Sequence, residues 1–159
     1  MTEIFLCEGN VHARLDTLLK AKLKYPYEIK QTPLGKPYIG GNPLYISLTH
    51  SKSYGAIATD TVPVGVDLEI IRGRSHEVLI RRFPQREQTE INSERDFLIH
   101  WTARESYIKM RGETLASTFK RIEFFGGKIY LDGNGQPCSI RHFFLDGGRI
   151  LCVCTREEL

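Results

Sequence analysis

Two acidic residues, Asp67 and Glu69, stand two positions apart in the apolar stretch PVGVDLEII, and Glu105 and Lys109 follow in WTARESYIK. Side chains alternate between the two faces of a strand, so a strand here would point Asp67 and Glu69 to the same face. On a helix, Glu105 and Lys109 would share one face at spacing i, i+4. Three carboxylates and one ammonium on facing elements suit a magnesium-bound diphosphate.

An Asp-x-Glu pair is weak evidence for a metal when it stands alone. In an apolar stretch, however, two ionised carboxylates need a counter-ion or a metal, because burying an unpaired charge is costly. Arg72 or Arg74 would provide the purely structural alternative. Likewise, Glu105 and Lys109 alone could form an ordinary surface pair worth about 0.2–0.5 kcal/mol. The presence of both motifs in one small chain favours a metal-binding or catalytic role over ordinary ion pairs.

Four sequence elements, in a fixed order, resemble the phosphopantetheinyl transferases of the Sfp type. They are GKPYI, LTHS, GVDLE, and RRF followed by WTARESYIK, and they span about Lys36 to Leu115. The last element matches the family signature W-x-x-K-E-S-x-x-K, with Arg104 in place of its first lysine. The resemblance implies a transferase that moves 4'-phosphopantetheine from coenzyme A to a serine of an acyl or peptidyl carrier protein and releases 3',5'-ADP.

The resemblance also implies a Mg²⁺ cofactor and a role for each acidic residue. Asp67, Glu69 and Glu105 would hold the ion on the diphosphate of coenzyme A. Lys109 would neutralise the same phosphates. Catalysis would depend on Asp67, Glu105 and Lys109, with Glu105 acting as ligand, as base, or as both.

Three further positions are implied to bind coenzyme A. Lys36 of GKP aligns with a phosphate-contacting lysine, and Thr49 and His50 of LTHS align with residues that contact the nucleotide end. A ligand for the 3'-phosphate is expected among the basic residues at 14–24, without a residue-by-residue alignment.

Two departures from the family pattern keep a second hypothesis open. Arg104 replaces a lysine, which exchanges a compact ammonium group for a planar guanidinium group. The first half of the chain is also shorter than in the usual two-part enzyme of this type. The alternative is a degenerate relative that binds coenzyme A or a nucleotide without transferring anything.

The resemblance implies an α+β fold with two similar halves related by pseudo-two-fold symmetry, antiparallel sheets packed with a long helix, and the substrate between the halves. We expect a single domain over 1–159, with half one at about 1–62 and half two at about 63–159. Two internal halves would form the cleft without oligomerisation, so we expect a monomer.

Local patterns predict the elements that carry these residues. The first half should contain a strand at 4–6, a helix at 11–24, a mostly irregular stretch from Tyr25 to Pro43, and strands at 45–49 and 54–59. After the acidic strand we expect a short helix at 77–83 and a long one at 93–111, with Ser93 and Gly112 as its caps. The remainder alternates between turn signals, which predicts an antiparallel meander.

Composition bounds the partners. A net charge of +3 over 159 residues is too small for a dedicated nucleic-acid binder. The segment 72–86 holds five arginines and one glutamate, 5 minus 1 or +4, which indicates either a solvated face or a docking surface for an acidic carrier protein.

The start of the chain has no long apolar run, so neither a signal peptide nor a membrane span is expected. Four cysteines without a CxxC pair predict free thiols in a reducing cytoplasm.

Overall fold

Two three-stranded antiparallel sheets with the same strand order frame the protein in the computed structural model, which describes residues 1–41 and 44–157. The first half contains β1 (Glu3–Glu8), α1 (Val11–Lys22), β2 (Ile29–Gln31), β3 (Pro37–Ile39), β4 (Tyr45–Ser51) and β5 (Tyr54–Asp60). The second half begins with β6 (Val64–Ile70), α2 (Glu77–Ile80), α3 (Gln85–Gln88) and α4 (Glu94–Arg111). It ends with α5 (Leu115–Thr118), β7 (Ile122–Phe125), β8 (Lys128–Leu131), β9 (Asn134–Gly135), β10 (Cys138–Leu145) and β11 (Arg149–Arg156).

The two principal sheets repeat one topology. The first has the order β1-β5-β4 and the second the order β6-β11-β10, so in each the first strand in sequence forms an edge and the last lies in the centre. The hairpin β2-β3 and the meander β7-β8-β9 form two smaller sheets. This arrangement confirms the α+β class with antiparallel sheets and a long helix. The segment 61–63 connects β5 to β6.

Helix α4 begins and ends where its capping residues predict. The Ser93 hydroxyl accepts the backbone N–H of Asp96 at 3.1 Å, and Gly112 ends the helix in the left-handed conformation with φ 69°. Ala103 and Tyr107 on this helix are buried together with Cys152 and Cys154 of β11. The helix therefore packs on the second sheet.

One expectation about local structure is wrong and another is incomplete. The stretch from Tyr25 to Pro43 is mostly irregular over its described residues, as expected, but it also contains the hairpin β2-β3, whose turn is closed where the Gly35 N–H donates to the Thr32 carbonyl at 2.8 Å. The end of that stretch, Asn42 and Pro43, lies outside the described residues. The short helix also ends at Ile80 instead of Phe83, and α3 follows as a separate turn, because Pro84 disfavours helical backbone in the residue before it.

The remaining expectations about local structure agree with the fold. The strands at 4–6, 45–49 and 54–59 are present and slightly longer, and α1 ends two residues earlier than expected. The C-terminal part forms antiparallel strands, with β11 pairing both β10 and β6. All four cysteines are free thiols. Among the described helices, none has the length and hydropathy needed to cross a membrane.

Candidate active site

The acidic strand β6 packs against α4, and the two elements bring three carboxylates close enough to repel one another. Asp67 is only 6% exposed, while Glu69 and Glu105 are half-buried. Burial, together with the charge of Asp67, raises the pKa of Glu105 to about 7. The same two causes raise the pKa of Glu69 above its usual range. The carboxylates expected from the sequence to act together are therefore electrostatic neighbours.

Among the described residues, one carboxylate oxygen of Asp67 accepts hydrogen bonds and the other has no donor. Oδ1 accepts hydrogen bonds from Lys109 Nζ at 2.9 Å and from Thr49 Oγ1 at 3.4 Å. Lys109 Nζ also donates to the Val66 carbonyl at 3.1 Å. Oδ2 is buried and has no hydrogen-bond partner among the described residues. A buried carboxylate oxygen without a donor is costly, which makes this position suitable for a cation.

The donor chemistry fits Mg²⁺ in the presence of a phosphate ligand. Within 1–41 and 44–157, no three carboxylate, imidazole or thiol groups are arranged to hold a metal ion by themselves. Mg²⁺ is commonly bound by one or two carboxylates together with substrate phosphates, without a cage made only of protein groups. Asp67, with its unpartnered Oδ2, and the two neighbouring glutamates match that requirement. The three-carboxylate ion site itself stays a prediction.

His50 and Lys36 line a cavity next to these carboxylates. The cavity has a volume of about 270 Å³, and Lys109, Gly35 and Pro37 are also among its lining residues. His50 is exposed at its edge. A nucleotide-sized ligand in this cavity would lie beside Lys109, and the predicted contact of His50 with coenzyme A is geometrically available.

Lys36 and Thr49 are engaged with protein groups, which the sequence does not predict. Lys36 Nζ donates to the carbonyl of Val64 at 3.0 Å and to that of Lys109. Burial and the nearby Lys109 charge lower the pKa of Lys36 to about 8. The Thr49 side chain is buried against β6 instead of facing the cavity. Their predicted contacts with coenzyme A therefore require these present partners to be shared or exchanged.

Arg104, the departure from the family signature, points away from the carboxylates. Its guanidinium is fully buried and binds Glu87 through two hydrogen bonds, of 3.0 and 2.8 Å. It also donates to the Ile122 carbonyl at 2.9 Å and lies 4.1 Å from the centre of the Phe83 ring. Arg104 is thus a core residue that joins α4 to α3 and β7.

Glu87 is the important residue that sequence reasoning missed. It is 0% exposed, and in addition to Arg104 it accepts the Phe124 backbone N–H at 3.2 Å and contacts His100 Nδ1 at 3.0 Å. Its polar neighbours in PQREQTE give no sign of burial. Its burial is accounted for by partners on other elements, above all by Arg104, 17 positions away.

The arginines of segment 72–86 are exposed, but not all of their charges are free. Arg86 pairs with Glu123 and lies over the Phe125 ring. Arg81 pairs loosely with Glu77 at 3.9 Å. Arg82 stacks on a phenylalanine ring, and Val78 between these residues is 76% exposed. The surface therefore combines positive charge with an exposed apolar side chain.

Comparison with known proteins identifies the class to which this fold and site belong. The family model described as the 4'-phosphopantetheinyl transferase superfamily matches residues 63–154, the part that contains β6 and α4. The chain belongs to the 4'-phosphopantetheinyl transferase superfamily. The family and enzyme class expected from the sequence are confirmed.

Individual relatives extend the similarity into the first half. The chain is 25% identical over 162 residues to the 4'-phosphopantetheinyl transferase Sfp of Bacillus subtilis (strain 168), covering 88% of this chain and 71% of that protein. A second 4'-phosphopantetheinyl transferase of Bacillus subtilis is 30% identical over 133 residues, covering 76% of this chain and 59% of the relative. The human L-aminoadipate-semialdehyde dehydrogenase-phosphopantetheinyl transferase is 29% identical, with coverage of 82% and 50%. The chain thus spans between half and about seven-tenths of the length of these relatives.

Proposed function

We propose that this protein transfers 4'-phosphopantetheine from coenzyme A to a serine of an acyl or peptidyl carrier protein, releasing 3',5'-ADP in a Mg²⁺-dependent reaction. The observation that carries the proposal is Asp67, whose buried Oδ2 lacks a donor among the described residues while Oδ1 is held by Lys109. Asp67 lies near enough to Glu69 and to Glu105 to add to the rise in both of their pKa values that burial causes, as expected for carboxylates that share a cation.

The residues of this chain have separable roles in the reaction. Asp67, Glu69 and Glu105 would hold Mg²⁺, which when bound stabilises negative charge on the diphosphate and on the departing 3',5'-ADP. Lys109 would neutralise the same phosphates from the α4 side. His50 and Lys36 would contact coenzyme A from the adjoining cavity.

Glu105 is the proposed general base for the serine hydroxyl. A base works best when its pKa is near the operating pH, and burial raises the pKa of Glu105 to about 7. Transfer then makes the bond between the serine oxygen and the phosphopantetheine phosphorus and breaks the bond from that phosphorus to 3',5'-ADP. The serine proton passes to Glu105.

The carrier protein is proposed to dock on the arginine-rich surface at 72–86. An acidic partner would be attracted by the local excess of positive charge, and exposed Val78 would provide an apolar contact. This surface follows β6 directly in sequence, close to the acidic residues. We further propose that the protein acts as a monomer in the cytoplasm, with its four free thiols in keeping with a reducing compartment.

The test is a mass measurement on a carrier protein. Apo carrier, coenzyme A and Mg²⁺ are incubated with the protein, and the carrier is weighed by mass spectrometry. Addition of the phosphopantetheine mass by wild type, and not by Asp67→Asn, supports the proposal. Binding of coenzyme A without any mass gain would instead favour the alternative, a relative that holds the nucleotide and transfers nothing.

A further inference from the structure

The hydroxyl of Thr49 lies between two groups of β6. The Leu68 backbone N–H donates to Thr49 Oγ1 at 3.1 Å, and Thr49 Oγ1 lies 3.4 Å from Asp67 Oδ1. Thr49 is only 4% exposed. A hydroxyl has one proton and two lone pairs, and because an ionised carboxylate can only accept, the Thr49 proton is donated to Asp67 while a Thr49 lone pair receives the Leu68 N–H.

This contact helps to determine which oxygen of Asp67 is free. Lys109 Nζ donates to Oδ1 at 2.9 Å from the α4 side, and Thr49 donates to the same oxygen from β4. Oδ2 is left without a donor among the residues of the described ranges. Two donors on one oxygen hold the carboxylate plane, so the other oxygen faces a ligand in a fixed direction.

Ser47 provides an internal comparison on the same strand. Its hydroxyl accepts the Val66 backbone N–H at 3.0 Å, and it is 2% exposed. Ser47 and Thr49 thus make the same kind of contact with β6 two residues apart. Of these two hydroxyls, only that of Thr49 is also hydrogen-bonded to a carboxylate within the described residues.

We propose that Thr49 is a positioning residue that orients Asp67 for binding a divalent cation, and that it acts through this carboxylate instead of through coenzyme A. The inference rests on the proposed function, because it assumes that Asp67 holds the metal. Outer residues that orient metal ligands typically change metal affinity 10- to 100-fold when they are removed.

The test measures metal affinity directly. Mn²⁺ is titrated into the complex with coenzyme A, and free Mn²⁺ is followed by electron paramagnetic resonance. Thr49→Val should weaken Mn²⁺ binding by roughly 10-fold, while Thr49→Ser should bind like wild type. Ser47→Ala removes the matching hydroxyl and should leave Mn²⁺ affinity near the wild-type value.

The outcomes separate this inference from the proposed function. Equal Mn²⁺ affinity in Thr49→Val and wild type, or equal losses in Thr49→Val and Ser47→Ala, would overturn the positioning role and leave the metal assignment standing. Unchanged affinity in Asp67→Asn would overturn the metal assignment, and the inference with it. If Thr49→Val does not fold, Thr49→Cys replaces it with the same expectation, because a thiol is a weaker donor.

Discussion

Gly65 of β6 lies so close to Ser106 of α4 that a Cβ on Gly65 would stand 1.9 Å from the Ser106 carbonyl oxygen. The same Cβ would lie 2.5 Å from the Met110 backbone nitrogen. Both obstacles are helix backbone, which cannot move aside like a flexible side chain. The missing side chain therefore sets the spacing between the strand that carries Asp67 and the helix that carries Glu105.

The first prediction concerns this contact. Gly65→Ala should lower the free energy of unfolding by roughly 3 kcal/mol or more, because the added methyl group forces α4 away from β6. Transfer activity should fall as well, since Asp67 and Glu105 separate. Chemical denaturation and the carrier mass assay measure the two effects. Gly135→Ala is the control, because its nearest neighbour is the Tyr130 ring at 3.9 Å; equal stability of both variants would contradict the prediction.

A second prediction follows from the raised pKa of Glu105. In the folded protein this carboxyl keeps its proton up to about pH 7, whereas the unfolded chain loses it near 4.5. Stability should therefore fall as pH rises from about 4.5 to 7. Glu105→Gln removes this loss, so the variant should be more stable than wild type at pH 8 by about 1–3 kcal/mol and similar to it at pH 4. Urea denaturation of both proteins at pH 4 and pH 8 measures the difference in their free energy of unfolding. A difference that is the same at both pH values would contradict the prediction.

Metal binding should be linked to the same proton. In the proposed reaction Mg²⁺ would bind the carboxylate form of Glu105, and because burial raises the pKa of this group to about 7, the fraction in that form would increase between pH 6 and pH 8. The affinity of the coenzyme A complex for Mg²⁺ should thus rise from pH 6 to pH 8. Near pH 7, each ion bound should release on average less than one proton. Calorimetry in two buffers of different ionisation enthalpy measures that release. Mg²⁺ binding to Glu105→Gln should release no proton. If this variant releases as many protons as wild type, the proton comes from another group.

The buried pair of Arg104 and Glu87 predicts a large loss of stability. Arg104→Ala would leave Glu87 charged and buried, which typically costs 3–5 kcal/mol. Arg121→Ala breaks an ion pair with Asp132 whose side chains are 51% and 53% exposed, and it should cost less than about 1 kcal/mol. Thermal unfolding compares the two variants. A small effect of Arg104→Ala would contradict the structural role assigned to this residue.

Charge reversal tests the proposed carrier surface. Arg81→Glu combined with Arg82→Glu should raise KM for the carrier protein while leaving coenzyme A affinity unchanged, because both arginines lie on the exposed segment 72–86. The effect should shrink at high salt. Steady-state kinetics with varied carrier provides the measurement, and Arg121→Glu serves as a control for reversal of an exposed charge outside the segment 72–86. An unaltered carrier KM in the double variant would exclude this docking surface.

The elements that hold the acidic residues were predictable from local signals. Alternation identifies β6, and Ser93 and Gly112 give the limits of α4 because capping depends on neighbouring residues. The partners of the same residues were not predictable in this way. The contacts of Asp67 with Thr49 and of Arg104 with Glu87 join residues 18 and 17 positions apart, on different elements. Such pairs are decided by packing, which no local pattern records.

Lys36 belongs to the first half, yet its ammonium ends on carbonyls of Val64 and Lys109 in the second. Lys36 thereby links the β2-β3 turn to β6 and to the C-terminal part of α4. Two hydrogen bonds from one ammonium group therefore restrain the β2-β3 turn relative to both elements. Loss of this single side chain would release the turn from both elements at once.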